Sequence, residues 1–109
     1  MEIFEAVKAL SSLAHETRLG IFRLLVQVGT SGLAAGEINH AMRIAAPTLS
    51  FHLKELANAG LVSSRHEGRF VYYQANYAAM NELLAYLTEN CCQGEPCLPG
   101  SACKPGAKR

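Results

Sequence analysis

The sequence predicts a mainly α-helical fold that contains a single β-hairpin. Apolar residues recur every three or four positions along most of the first 60 residues and again near residue 80, which is the spacing of amphipathic helices. Between these segments the period changes to that of strands, on either side of the turn-like HEGR at 66–69. With 109 residues, the chain can form one domain with a modest core.

The first two predicted helices differ in how much apolar surface they carry. Residues 2–13 place their large apolar side chains on one stripe, as in a helix with one buried face. Residues 15–28 are apolar on most sides, which is typical of a central, mostly buried helix. The stripe of the first helix consists of Ile3, Phe4, Val7, Leu10 and Leu13.

The next two predicted helices are joined by a short connection. After a break at GTSG, 29–32, a short helix is expected over 34–42 and another over 46–60. Pro47 suits the first turn of the latter helix and Gly60 suits the left-handed position after its end. One of its faces is apolar and the remainder is polar. Leu49, Leu53 and Leu56 form the apolar face, while Thr48, His52, Lys54 and Glu55 point elsewhere.

A hairpin and a final helix complete the predicted domain. Residues 61–75 favour two strands with basic residues at their turn, and a helix is expected over 77–90. Four helices, a hairpin and a helix in this order are the plan of a winged helix-turn-helix. Because both terminal helices keep an apolar stripe beyond what a small core needs, we expect a homodimer. Residues 1–90 would form the DNA-binding and dimerisation domain, followed by a flexible tail at 91–109 that is rich in glycine and proline.

Composition narrows the location and the class of function. No run of about 18 uncharged apolar residues is present, which argues against a membrane span. Residues 1–10 contain two glutamates and lack an apolar block, so they do not form a secretory signal and we expect a cytoplasmic protein. We find no paired carboxylates, no Gly-rich phosphate loop and no nucleophile beside a base, so we expect no catalytic activity. The net charge is only +1, but the middle third of the chain has a mild positive bias.

The helix predicted over 46–60 and the hairpin carry side chains suited to DNA. Reading bases in the major groove requires hydrogen-bonding side chains on the exposed face of an anchored helix. Thr48, Ser50 and His52 meet this requirement, and Lys54 is a candidate contact to phosphate. On the wing, Arg65 and Arg69, together with His66, could reach the backbone or the minor groove, although a solvated hairpin tip would carry the same charges.

All four cysteines lie in the last fifth of the chain, in a segment too rich in glycine and proline to belong to a core. In a reducing compartment, clustered cysteines are more often metal ligands or redox groups than structural disulfides. The adjacent Cys91 and Cys92 can face one ion only where a helix ends, and Gly94 and Pro96 can bring Cys97 back to them. Three soft thiolates suit trivalent arsenic or antimony, which bind three sulfurs in a pyramid.

Other roles for the cysteines stay open. Zinc could use Cys103 as a fourth ligand, although an adjacent pair gives poor tetrahedral geometry. Methylated trivalent arsenic would need only Cys91 and Cys92. A redox switch through Cys97 or Cys103 is a further alternative, and the crowding could also be incidental.

Three segments resemble the ArsR/SmtB family of dimeric, metal-responsive repressors. They are LAHETRLGIFRLL at 13–25, LSFHLKELANAGLV at 49–62 and RHEGRFVYY at 65–73, and the resemblance covers roughly residues 2–90. It implies a winged-helix homodimer that binds double-stranded operator DNA with an inverted repeat until a metal or metalloid releases it. In this family, positions equivalent to Pro47, Thr48, Ser50 and His52 lie on the DNA-reading helix, with base or phosphate contacts usual at the last two, while Ala46 replaces a common polar residue.

Departures from the family's known sensor types point to the inducer. GEINHAM at 36–42 lacks the cysteines of one arsenic-sensor type, and 77–90 lacks the His and Asp ligands of zinc sensors. The tail looks like variant arsenic repressors whose three-thiolate site follows the last helix. The resemblance therefore implies As(III), or alternatively Sb(III), as the inducer, bound by Cys91, Cys92 and Cys97, with no organic cofactor.

Overall fold

A computed structural model describes residues 1–94 and confirms the winged helix-turn-helix. Within this part of the chain no helix is long and apolar enough to cross a membrane. The helices are α1 (Ile3–Leu13), α2 (Glu16–Val28), α3 (Ala35–Met42), α4 (Ala46–Asn58) and α5 (Tyr77–Leu87); the strands are β1 (Leu33–Ala34), β2 (Val62–Glu67) and β3 (Phe70–Ala75); Cys91–Gly94 forms a short 3₁₀ turn.

Side chains near the helix starts satisfy backbone N–H groups that the helices leave without partners. His15 precedes α2, and its Nδ1 accepts a hydrogen bond from the Thr17 amide at 3.2 Å. Asn76 precedes α5, accepts from the Ala79 amide at 3.1 Å and donates to the Gly60 carbonyl at 2.9 Å. The bonds to the Thr17 and Ala79 amides define where the two helices begin. The bond from Asn76 to the Gly60 carbonyl ties the start of α5 to the end of α4.

The hairpin of β2 and β3 is widened to a three-stranded antiparallel sheet of order β1-β3-β2. The sequence pattern did not predict β1, which contributes only Leu33 and Ala34, paired with Tyr73 and Tyr72. Two residues are too few for a periodic signal, and the pairing partner is distant in sequence. Gly32, just before β1, has φ 72°, and a Cβ at this position would collide with the Tyr73 carbonyl.

The core lies between α2, α4 and the sheet. α1 packs against it through the small residues Ala6 and Ala9 and through the partly buried Leu13. The other large side chains of its predicted stripe remain exposed, namely Ile3, Phe4, Val7 and Leu10. On α5, Leu83 is buried while Leu84 and Leu87 are exposed. An apolar face is therefore left uncovered on both terminal helices. The buried hydrophobic residues are Ala6, Ala9, Ile21, Phe22, Leu25, Ile38, Leu49, Leu53, Leu56, Leu61, Val62, Ala75 and Leu83.

The last helix is three residues shorter than predicted, because it ends at Leu87 rather than near residue 90. The Thr88 hydroxyl bonds back to the Leu84 carbonyl at 2.8 Å, and Asn90 adopts a left-handed φ of 57°. The change in backbone direction therefore comes before the adjacent cysteines. The chain then tightens into the 3₁₀ turn that contains both of them.

Candidate nucleic-acid interface

A tight turn sets α4 against α3. Arg43 ends α3 with a left-handed φ of 57°, and the Asn39 side-chain amide donates to the Ile44 carbonyl at 2.8 Å. Buried Ile38 of α3 and Leu49 of α4 lie on the inner side of this pair of helices. The two helices thus form the rigid unit that a helix-turn-helix needs to present one helix outward.

Most of the predicted contact residues on α4 are exposed. Pro47, Thr48, Ser50 and Lys54 all lie at the surface, whereas Leu49, Leu53 and Leu56 on the same helix are buried. Pro47 occupies the first turn, where its missing N–H costs no helical hydrogen bond. The exposed part of α4 therefore combines two hydroxyl groups and one cationic side chain, as a DNA-reading surface requires.

His52 is the exception, and the prediction that it lies on the exposed face is wrong. Its side chain is buried, with 6% of its surface exposed. Arg18 Nη1 lies 3.2 Å from its Nδ1, and since a guanidinium can only donate, that nitrogen must be the unprotonated acceptor. The His15 ring lies 4.7 Å away, centroid to centroid. Residue 52 lies three positions after Leu49 and four before Leu56, so the helical spacing of α4 places it beside the buried leucines. The contact with Arg18 compensates for burying a polar ring there.

This contact belongs to a polar network that joins three helices. Arg18 Nε also donates to the Ser12 carbonyl at the end of α1, at 2.7 Å. The Ser12 hydroxyl in turn lies 3.5 Å from the Glu55 carbonyl of α4. Burial lowers the pKa of His52, the nearby charges of His15 and Arg18 lower it further, and Glu55 opposes them. A neutral His52 thus links α4 to α1 and α2.

On the wing, the two predicted arginines have different surroundings. Arg69 and its neighbour His66 are exposed at the tip of the hairpin. Arg65 is half-buried and donates four hydrogen bonds from its five N–H groups, while its guanidinium lies 5.1 Å from the Tyr72 ring centroid. The acceptors are Glu67 Oε2 at 2.8 Å, Gln74 Oε1 at 2.9 Å, the Ser31 carbonyl at 2.8 Å and the Thr30 carbonyl at 3.4 Å. These contacts favour a structural role for Arg65 over the predicted contact with DNA.

Two exposed aromatic residues were not among the candidate site residues predicted from the sequence. Phe51 on α4 and Phe70 at the start of β3 each expose 56% of their surface. A projection of α4 at about 100° per residue would have found Phe51, because it falls almost opposite the leucine stripe. No comparable signal marks Phe70, since alternate residues of a short hairpin can face either side.

The cysteine site is only partly within the described residues. The Cys91 sulfur forms a disulfide and its residue is half-buried, while Cys92 is exposed and has a left-handed φ of 53°. Cys97 and Cys103 lie outside the described residues. In the portion from 1 to 94, no three His, Cys, Asp or Glu side chains are grouped as a metal site. The adjacent cysteines do follow the end of a helix, as binding of one centre by both would require.

Comparison with known proteins places this architecture among transcriptional regulators. Residues 13–65 match a family described as a helix-turn-helix domain. The arsenical resistance operon repressor of Staphylococcus aureus is 31% identical over 80% of this chain and 81% of its own. The transcriptional activator HlyU of Vibrio cholerae is 30% identical over 82% and 80%. The arsenic resistance transcriptional regulator ArsR1 of Pseudomonas putida is 36% identical over 57% of this chain, but the match spans only 47% of that protein.

Solved structures agree with this placement. An ArsR-like transcriptional regulator from Rhodococcus sp. RHA1 superposes with a TM-score of 0.71 at 26% identity, covering 82% of this chain and 81% of that one. The homodimeric winged helix-turn-helix domain of Mb0332 from Mycobacterium bovis, a possible ArsR-family regulator, gives 0.64 at 26% identity, with coverage of 88% and 89%.

Proposed function

Because this chain belongs to the ArsR/SmtB family of winged helix-turn-helix transcriptional regulators, we propose that it is a repressor that binds operator DNA as a homodimer and leaves it when trivalent arsenic binds its cysteines. The observation that carries this proposal is an exposed polar surface on α4, the second helix of the helix-turn-helix, in the same chain as adjacent cysteines just beyond α5. It acts in the cytoplasm, where thiols stay reduced.

The DNA interface consists of α4 and the tip of the wing. Thr48 and Ser50 supply hydrogen-bonding groups for base edges or phosphates, and Pro47 begins the helix that carries them. Lys54 and Arg69 are exposed cations that contact phosphates and position the protein without reading sequence. In a homodimer, two copies of α4 about 34–36 Å apart read the halves of an inverted repeat.

The apolar surface of α1 and α5 forms the dimer interface. Ile3 and Phe4 expose 68% and 76% of their surfaces, and Val7, Leu84 and Leu87 are each close to half exposed. Large apolar side chains that recur along two helices form a continuous exposed surface, unlike the single apolar residues found on most protein surfaces. Burying this surface against a second copy of the chain is favourable. The homodimeric Mycobacterium bovis domain, which has the same fold, supports the formation of a homodimer.

Trivalent arsenic is the proposed inducer, with trivalent antimony as its closest chemical equivalent. Cys91, Cys92 and Cys97 supply three thiolates, and relatives from Staphylococcus aureus and Pseudomonas putida are named for arsenic resistance. Binding requires that the Cys91 disulfide be reduced first. When bound, the metalloid would join the end of α5 to the following segment and alter how the two subunits are set against each other.

A thiol-redox regulator is the second candidate. The disulfide at Cys91 favours it, since it places an oxidised sulfur next to an exposed cysteine at the end of the dimerisation helix. HlyU, a relative named as a transcriptional activator rather than for arsenic resistance, has also been solved in a reduced form. In this alternative, oxidation rather than a metalloid changes the DNA affinity.

One titration tests both candidates. Reduced protein is bound to fluorescent DNA from its own promoter under anaerobic conditions, and arsenite or an oxidant is added while anisotropy is followed. Arsenite is expected to release the wild type and the Cys103→Ser variant, but not Cys91→Ser, Cys92→Ser or Cys97→Ser. Release by oxidant alone would favour the redox candidate, and a failure to bind any promoter DNA would overturn the repressor assignment.

A further inference from the structure

We propose that Phe51 is a specificity-determining residue that reads thymine through its 5-methyl group. The inference rests on the proposed function, since it requires that α4 enters the major groove of DNA. It goes further by assigning a base preference to a residue with no hydrogen-bonding group. The operator should therefore carry a thymine opposite Phe51 in each half-site.

The position of Phe51 on α4 supports this role. Residues of an α-helix follow one another at about 100°, so Pro47, Phe51 and Lys54 share one face. That face lies nearly opposite Leu49, Leu53 and Leu56, which are buried in the core. Thr48 and Ser50 lie on either side of it. Phe51 is therefore at the centre of the surface that α4 presents, and 56% of it is exposed.

The Phe51 ring rests on a buried support. The His52 ring meets it edge-on, with centroids 5.5 Å apart and planes at 62°. His52 is itself fixed by Arg18, whose Nη1 lies 3.2 Å from its Nδ1. A ring held in this way loses less freedom on binding than a free surface side chain would, which favours a defined contact.

The surroundings of Phe51 favour DNA over an apolar protein partner. Lys54 lies one turn further along the same face, and Arg43 is exposed at the turn that precedes α4. A single exposed aromatic ring beside cationic side chains suits DNA, which is a polyanion that also carries apolar methyl groups in its major groove. In the major groove, the thymine methyl is the apolar group that a phenylalanine can contact, and cytosine lacks it.

The test removes only that methyl group. After selecting a preferred duplex from random sequences with the wild-type dimer, each thymine in turn is replaced by deoxyuridine, and the dissociation constants are compared. At one thymine per half-site, wild type should bind about fourfold more weakly, the effect expected when one buried methyl group is removed. The Phe51→Ala variant should bind the thymine and deoxyuridine duplexes equally at that position.

Lys54→Ala serves as the matched control on the same face of α4. It should weaken binding to every duplex and lower the salt dependence while keeping the fourfold methyl effect. If wild type selects a duplex but is insensitive to methyl removal at every thymine, or if Phe51→Ala keeps the full effect, the assignment of Phe51 is wrong and the repressor assignment stands. If wild type selects no duplex at all, both are overturned.

Discussion

Arg65 offers the sharpest test of how the wing is built. Replacing it with alanine removes four hydrogen bonds: one to Glu67 within β2, one to Gln74 of β3, and two to the carbonyls of Thr30 and Ser31. The ion pair with Glu67 is partly exposed, so it contributes at most about 1 kcal/mol. The remaining bonds are charge-assisted but partly hydrated, and together they contribute about 1–2 kcal/mol. We therefore expect the free energy of unfolding to fall by about 2 kcal/mol.

Urea unfolding measures this decrease, and Arg69→Ala is the matched control. With a typical slope for a small domain, a decrease of about 2 kcal/mol lowers the midpoint by about 1 M urea. Arg69 is exposed at the tip of the same hairpin, so its removal should change the free energy of unfolding by less than about 0.5 kcal/mol.

The salt dependence of DNA binding should change on removal of Arg69 and not on removal of Arg65, which is the reverse of the effect on stability. Arg69→Ala should reduce the slope of log affinity against log salt by about 0.9 for each phosphate that the arginine neutralises, for all DNA sequences. Arg65→Ala should leave that slope unchanged even if affinity falls. Equal stabilities for the two variants, or a reduced slope for Arg65→Ala, would refute the structural role of Arg65.

Three further outcomes follow from the described contacts. Because the pKa of His52 is lowered below 6.5, the folded state binds fewer protons than the unfolded state, so stability should fall as pH drops below about 6.5. In urea unfolding at several pH values, His52→Gln should flatten this pH dependence. A variant with an unchanged pH profile would contradict the role of His52. Phe4→Glu should shift the protein from dimer to monomer in analytical ultracentrifugation, because it places a charge on the exposed apolar face of α1. A variant that dimerises with unchanged affinity would show that this face is not part of the dimer interface. Gly32→Ala should destabilise the fold by about 1–3 kcal/mol, since its Cβ would meet the Tyr73 carbonyl at a left-handed φ; Gly36→Ala, where nothing lies within 4 Å, is the control, and equal thermal midpoints would refute the clash.

The helices and the hairpin could be predicted because each leaves a local signal. Apolar spacing, Pro47 at a helix start and a glycine turn between two strand-like runs all act within a few residues. β1 could not be predicted, because two residues become a strand only by pairing with Tyr72 and Tyr73, which are about 40 positions away. The end of α5 was placed too late because a threonine back-bond and a left-handed asparagine terminate it without a glycine or proline.

For the candidate site, the residue types in the sequence predicted the exposed placement of His52 wrongly and did not show what surrounds Arg65. His52 is polar by type, yet its place beside the leucines buries it, and only a partner from α2 makes that burial tolerable. Arg65 differs from Arg69 only in what lies near it, since the 29–32 turn reaches its guanidinium through tertiary folding. Sequence type suggests which residues suit DNA, whereas the fold decides which of them are free to reach it.

The most direct test of the central claim measures arsenite affinity of the reduced protein in the presence and absence of its operator. If metalloid binding releases DNA through coupled sites, DNA must weaken arsenite binding by the same factor by which arsenite weakens DNA binding. We expect the arsenite dissociation constant to rise by about 5- to 150-fold on saturation with operator, the usual range for coupled sites. Equal arsenite affinities with and without operator DNA would contradict the account.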